Sequence, residues 1–525
     1  MSIIDNLKAK KTASSPSRVR KTKQPRVAAN RGGWGGAEHS RLVTSWFTTG
    51  TPINAEIEKD LQALRSRSRD LAKNSDYIRR FFQLAKSNVV GSSGFKFTSQ
   101  VMRSNGKPDD PARTAIEQGW KRFSKKGVVC AQNRLSLWEM ENVLLESLLR
   151  DGEVILLQYN GKAENEFGVS FKVIDPSVLD VNHKGDHGGN PVKMGIETDA
   201  RGRVVAYHFK STDTTHKAYY ETNGKGAIRV EADKVIHRFL VEYADQIRGV
   251  PHIATSMFRL KMLDEYESSE LVAARIGAAT MGFIERGEDG GSFEGVNAVS
   301  DEDEWEDYPE EPGIEVENGA FHYIENGAKV HEWGGNHTPT AYAPFVKGVL
   351  RGIASGLGVS YNTLANDLEG VNYSSIRSAV LEDREIWKGL QNWMIENVLA
   401  EIFERWLESA LLAQSLIMPS GNPLPARNID RYRLHTFSGR RWQWVDPQKD
   451  MNANKLAIEL GIRSRSSIIR EQGDDPVEVW REIQEENALL KDLGIPTHVS
   501  TQPQTEPEEP SNDSESDGDS ESGDQ

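Results

Sequence analysis

Apolar residues recur at spacings of three, four and seven along residues 54–90, at Ile57, Leu61, Leu64, Leu71, Ile78, Phe82, Ala85 and Val89. That period predicts one long helix or two in series, with Gly91 as the stop. Arg65, Arg67 and Arg69 alternate within it and so point to different sides, which reads as a solvated face rather than a phosphate clamp. A second helix is predicted around residues 135–150. The pattern then changes to short apolar or alternating runs at 154–158, 171–174, 204–209 and 235–240, separated by Gly-Lys, Asp-Pro and His-Gly-Gly punctuation, which predicts strands. Residues 36–245 are therefore expected to form an α+β domain in a predominantly helical chain.

From Pro251 a helical pattern continues to Ile284 with no glycine before Gly277, a rod on the order of 50 Å at about 1.5 Å per residue. Its second half, Ala273-Ala274-Arg275-Ile276-Gly277-Ala278-Ala279, is small. Two readings stand side by side: close approach of a neighbouring helix, or an ordinary core helix. After an excursion over residues 286–337, with short β-like runs at 313–316 and 321–324, a helix over 342–356 brings the chain back. A Gly- and Asn-rich stretch, 357–371, precedes the longest periodic run, 373–412. Its stripe of Ile376, Val380, Ile386, Leu390, Trp393, Val398, Ile402, Trp406 and Leu407 predicts a scaffold helix about 60 Å long. Further helices are expected around 450–460, 466–470 and 476–492.

Charge changes this picture at three places. The formal net charge of −14 is uneven: residues 1–35 carry nine Lys or Arg against Asp5, residues 501–525 carry nine acidic residues and no basic one, and residues 286–337 carry fifteen acidic residues against Arg286 and Lys329. Both ends have the composition of disordered tails, a basic arm over 1–35 and an acidic tail over 500–525. The rest of the 525 residues, with 37% hydrophobic content in the whole chain, is enough for real cores. The one cysteine, Cys130, leaves no intramolecular disulfide or thiolate cluster and reads as buried filler. Lys8, Lys10 and Lys11 follow Ile3 and Ile4 too closely for a signal-peptide core, and the apolar run 410–418 is far short of the roughly 20 residues of a membrane span. No membrane is expected, and no cofactor.

Candidate chemistry is sparse. There is no phosphate-binding Gly-x-x-x-x-Gly-Lys-Ser/Thr segment and no Gly-x-Ser-x-Gly elbow; Gly91-Ser92-Ser93-Gly94 reads as a helix-ending turn. Asp301, Glu302, Asp303, Glu304, Glu306 and Asp307 surround Trp305. Such a run could hold divalent ions for a nuclease, but catalytic carboxylates are assembled from separate rigid elements, so a solvated surface is the better reading. His183 and His187 have no third ligand nearby in sequence and read as a mobile loop.

Several stretches, in order, resemble the lambda-like family of phage portal proteins. They are Leu64-Arg65-Ser66-Arg67-Ser68-Arg69-Asp70-Leu71, Arg150-Asp151-Gly152-Glu153, Ile174-Asp175-Pro176, Arg248-Gly249-Val250-Pro251, Leu357-Gly358-Val359-Ser360-Tyr361 through Asn366-Asp367, Asn372-Tyr373-Ser374-Ser375, and Trp442-Gln443-Trp444-Val445-Asp446-Pro447. The resemblance spans about residues 35–495. It implies a portal-type subunit with wing, two-helix stem, clip and crown that assembles as a ring of twelve. In that scheme 36–249 is the wing α+β domain, 250–285 and 338–357 the stem helices, 286–337 the acidic clip, 358–372 the tunnel-loop region, 373–415 the long wing helix and 416–499 the wing and crown.

The implied role is a non-enzymatic channel for double-stranded DNA during packaging and ejection. Its location would be the unique capsid vertex of the virion, after assembly in the host cytoplasm. Large terminase, major capsid and scaffold proteins and head-tail completion proteins are the implied partners. Another head or tail-completion scaffold protein is the alternative, and a metal-dependent nuclease the enzyme alternative. A channel in which DNA slides should hold phosphate weakly. Lys347 and Arg351, one turn apart, are candidates for a sparse lumenal ring, or else pair with acidic neighbours between subunits. Gly358, Asn362, Asn366, Asp367, Gly370 and Asn372 are candidates for the channel edge; the alternative is a connector in which Asn366 and Asp367 cap local turns. Residues 301–307 are the candidate docking surface for terminase or an adaptor.

Overall fold

The structure, a computed structural model, describes residues 50–210, 227–278, 282–285, 329–332, 339–442, 447–472 and 476–495. The basic arm, the acidic tail, most of the excursion and its candidates Asp301, Glu302, Asp303, Glu304, Trp305, Glu306 and Asp307 lie outside the described residues, as do the β-like runs at 313–316 and 321–324. Residues 53 onward form one unit. In order it comprises α1 (Ile53–Asn74), α2 (Asp76–Ala85), β1 (Lys96–Ser99), α3 (Asp110–Phe123), α4 (Leu137–Asp151), β2 (Glu153–Asn160), β3 (Val169–Ile174), β4 (Gly185–His187), β5 (Asn190–Lys193), β6 (Ile196–Thr198), β7 (Val204–Phe209), β8 (Ile228–Glu231) and β9 (Val235–Phe239). Then follow α5 (Met257–Ala278), β10 (Gly282–Glu285), β11 (Lys329–Glu332), α6 (Pro339–Leu357), α7 (Tyr361–Ala365), α8 (Tyr373–Met394), α9 (Ala400–Leu412), α10 (Ile429–Tyr432), β12 (His435–Ser438), α11 (Pro447–Glu459), α12 (Arg465–Gln472) and α13 (Pro476–Asp492).

The predominantly helical α+β class holds. β2 is the central strand of an antiparallel sheet ordered β3-β2-β9, and its alternation divides two cores: Val154 and Leu156 join the main one, Ile155 the smaller one under the five-stranded sheet β4-β5-β6-β7-β8. A residue shift of one would exchange these faces. α4 starts at a capping box, Ser136 with Glu139, and ends on Gly152 with a positive φ of 85°. Far along the chain, β12 pairs with β1 so that Phe97 lies opposite Phe437. The aromatic centre of the main core is built there, with Trp120 edge-on to Trp406 at 5.1 Å between centroids.

Several expectations need correction. The first rod is 22 residues, Met257–Ala278, about 33 Å rather than 50 Å. Pro251 lies before it, and Gly282-Phe283-Ile284-Glu285 is a strand paired with Lys329–Glu332, because a cross-strand partner outweighs helical continuation there. The long run 373–412 is helical throughout but carries a π-helical segment at Ile395–Leu399, which turns the buried stripe. Before it, Trp387, Leu390 and Met394 face the core, while Ile386, expected in the stripe, is 39% exposed. α1 and α2 break at Ser75, the two-in-series alternative, with a π-helical turn at Lys86–Val90 closing on Gly91. α3 was missed because its stripe of Ala112, Ala115, Ile116, Gly119, Trp120 and Phe123 is half small residues.

Candidate functional site

The segment proposed for the channel edge links α6 to α8. Gly358 (φ 71°) and Gly370 (φ 67°) both take left-handed backbone. Asn366 caps α7 in the left-handed region, φ 53°, and Asn372 caps α8 by accepting from the Ser375 amide at 2.8 Å. Asp367 accepts the Glu369 amide at 2.9 Å and the Tyr361 hydroxyl at 2.8 Å, and pairs with the Lys347 ammonium at 3.0 Å. The Glu369 amide first, then Tyr361 and Lys347, hold the Asp367 carboxyl down at about 2. Lys347 and Arg351 both lie over the Tyr361 ring, each 5.6 Å from its centroid. On the other side the Ser360 amide and hydroxyl donate to Asp383 at 2.8 Å each, and Thr363 donates to it at 3.0 Å.

Lys347, Arg351 and Asp367 are thus brought together, on a tyrosine that sequence reasoning passed over. The acidic neighbour of Lys347 lies in its own chain, whereas the expectation looked for it across subunits. Arg351, Asn366, Gly370 and Asn372 are exposed, and Asn362 is half-buried. Asp383 was missed as well: a lone acid on the inner side of a long helix leaves no signal beyond interrupting the apolar stripe.

The two rods run antiparallel. Arg259 crosses α6 at Gly352, where an ideal Cβ would stand 2.3 Å from its Nη1. Further along, Tyr266 stacks on Tyr342 at 5.9 Å and meets Phe345 edge-on at 4.8 Å. Between the helices lies an open groove of about 640 Å³ lined by Phe258, Met262, Tyr266, Phe345 and Val349. Phe258 is 75% exposed, Leu271 71% and Phe345 52%, and Ala273, Ala274 and Arg275 are exposed too. The core-helix reading of the small half of this rod therefore does not describe the single subunit.

At the foot of the first rod, four of the resemblance stretches converge. Glu153, which opens β2, is fully buried between two arginines. Arg248 grips it through Nε to Oε1 at 2.7 Å and Nη2 to Oε2 at 3.0 Å, and Arg65 Nη2 pairs with Oε2 at 2.7 Å. The Gly249 amide donates to Oε1 at 2.8 Å. The remaining guanidinium donors reach carbonyls: Arg248 to Met194 at 2.6 Å, Arg65 to Asp151 at 2.8 Å and Pro176 at 3.1 Å. Arg69 spans the Asp151 and Asp175 carboxylates at 2.6 and 2.5 Å. Burial works against the charge on Glu153, but Arg248 and Arg65 outweigh it and hold the carboxyl well below its usual range. Burial keeps the adjacent His237 below its usual value, against the pull of Glu153.

The turn into β2 has no room for side chains. An ideal Cβ on Gly152 would stand 2.5 Å from the Val250 carbonyl carbon, and one on Gly249 only 2.0 Å from the Gly152 oxygen. The solvated-face expectation thus fails for Arg65 and Arg69, and holds only for the exposed Arg67. The sequence signal was present: a glutamate opening the apolar run Glu153-Val154-Ile155-Leu156-Leu157 must find a buried cation or lie outside the strand.

The histidine loop also differs from expectation. Residues 185–193 form the hairpin of β4 and β5, and His183 stacks on His208 at 4.6 Å, while His187 Nδ1 lies 3.6 Å from buried Glu197. Arg229 holds that carboxylate at 2.7 and 3.0 Å, and with Asn190 and His208 keeps it at about 2. Among the described residues no group of three His, Cys, Asp or Glu has a metal-binding arrangement, and no helix is long and apolar enough to cross a membrane.

Residues 39–391 match the model of the lambda-family phage portal protein. The "probable portal protein" of Halomonas phage phiHAP-1 is 33% identical over 465 residues, covering 88% of this chain and 87% of its own. Portal protein B of Escherichia phage lambda is 21% identical over 489 residues, covering 88% and 90%. A solved neck structure of an empty gene transfer agent particle overlays 83% of this chain on 99% of its own at 14% identity, with a TM-score of 0.42. By the match over most of its length and by its full-length relatives, this chain belongs to the lambda family of phage portal proteins.

Proposed function

We propose that the chain is the subunit of a ring at one vertex of the virion, through which double-stranded DNA enters the capsid and leaves it. The observation that carries this reading is the pair of antiparallel rods α5 and α6, whose apolar faces are exposed in the single subunit. A ring supplies their cover by placing the next copy against Phe258, Leu271 and Phe345. In this reading α5 and α6 are the stem, residues 286–337 the clip, residues 358–372 the channel edge, α8 and α9 the wing helix and α11 to α13 part of the crown. Twelve copies form the ring. Terminase docks first, on the acidic residues 301–307, and completion proteins follow; capsid and scaffold proteins surround the body. The chain acts as structure and not as a catalyst.

Lys347 keeps a partner in its own chain, and Asn366, Gly370 and Asn372 are exposed and uncharged, which suits a surface past which phosphate moves without being held. Electron microscopy of the purified protein tests the ring: particles with a central hole are expected, and monomers at all concentrations would sink the reading. Lysine at Asn366 tests the loop. Rings should form as before, with packaging or retention of DNA altered in a salt-dependent way; unaltered DNA handling with lost assembly would move these residues to a subunit contact.

A further inference from the structure

α4 buries one acidic side chain that no cation among the described residues neutralises. Glu141 is 2% exposed, and its Oε2 has no hydrogen-bond partner among the described residues. The influences on it are burial and, opposing it, the Phe95 amide; no lysine, arginine or histidine contributes. Glu153 shows the contrast, a buried glutamate with two guanidinium groups. Glu141 is among the residues around a recess of about 470 Å³, whose aromatic walls are Phe95, Phe97, Trp120 and Trp138. Trp138 is held in place by its Nε1 donating to the Gly91 carbonyl at 2.9 Å, yet is 44% exposed, so the recess opens to solvent beside it.

A buried carboxyl oxygen without a donor, beside an aromatic-walled recess, is complemented by a cation. Ring faces attract cations, the carboxylate supplies the counter-charge, and the apolar walls accept an alkyl stem. We propose that this recess binds a cationic side chain, a lysine ammonium or arginine guanidinium, presented by a protein that docks on the surface where α3 and α4 meet, with Glu141 as its counter-ion. Trp138 and Phe95 flank the stem.

Burial pushes the Glu141 carboxyl up to about 8, so the empty site is mostly protonated near neutral pH. A cation binds the ionised form, so its affinity should rise by about tenfold per pH unit up to pH 8 and flatten above it. Lys96 on β1 and Glu117 and Lys121 on α3 also face the recess; a Glu141→Gln variant, which keeps them all, separates their influence from that of Glu141.

The test is saturation-transfer NMR on the full chain with n-butylammonium and N-propylguanidinium, with n-pentanol as the uncharged control. Both cations should saturate, more tightly at pH 8 than at pH 6.5, and pentanol should not compete at equal concentration. Glu141→Gln, checked for its fold by near-UV circular dichroism, should lose cation binding and its pH slope together. The slope itself is read on the wild-type chain, so the idea stays testable if the variant folds poorly. Equal binding of pentanol, absence of any cation signal at pH 8, or an unchanged slope in Glu141→Gln would overturn it.

Discussion

Glu153→Gln should destabilise the protein by about 3–5 kcal/mol, the usual cost of leaving a buried charge without its partner. The substitution preserves shape but removes the charge and turns one acceptor oxygen into an N–H donor, so Arg65 and Arg248 remain buried without a carboxylate between them. The loss should appear as a lower denaturant midpoint with little change in slope, because the native surface is the same. Adding Arg248→Met to Glu153→Met should cost less than the two single changes added together, since each then removes the other's uncompensated partner. The pH dependence has a definite sign. The folded carboxyl lies well below the usual glutamate value of 4.5, so its contribution is complete above 4.5 and is lost as pH falls through the folded value. The gap between wild type and variant should therefore be constant from pH 5 upward and narrow below 4.5. A loss under about 1 kcal/mol at pH 7 would mean that water reaches the junction and screens it.

The second large effect is expected at the rods. Phe258→Glu should give a folded subunit that fails to assemble, because Phe258 is 75% exposed in the single chain and contributes little to its core. In the ring proposed above the same position sits against the next copy. Replacing a phenylalanine there forfeits roughly 1.5–3 kcal/mol of burial at every interface, and an unpaired carboxylate adds a desolvation cost. Light scattering coupled to size exclusion should move from a ring-sized mass to the subunit mass, with unaltered circular dichroism, whereas Phe258→Leu should retain most assembly. Wild-type ring yield in Phe258→Glu would remove this face from the interface and with it the observation on which the ring reading rests.

These two sites were legible to different degrees. The rods could be read from spacing, since helical periodicity is a local property: α6 and α13 came within a few residues of expectation, and α9 kept the buried positions Ile402, Trp406 and Leu407 foreseen for it. Where the first rod ends could not be read, because Gly282–Glu285 is a strand only by virtue of its pairing with Lys329–Glu332, some fifty residues on. The π-helical turn at Ile395–Leu399 is of the same kind. It shifts the face that α9 buries relative to that of α8 by a fraction of a turn.

By itself, the sequence determined the helical periods, the strand-rich middle of the body, the uneven charge and the order of motifs that marks the family. Each of these is carried by neighbours in the chain or by text compared with text. Only the tertiary structure decided what those motif residues do. Arg65 and Arg248 stand 183 positions apart, and what joins them is the burial of Glu153, whose charge must be met by cations brought from wherever the fold supplies them. Tyr361 likewise became a platform for Lys347 and Arg351 only once α6 and α7 had packed. Periodicity reports which face of an element is apolar; it does not say which charges that face will meet, because that depends on the partner element and on the water their contact excludes.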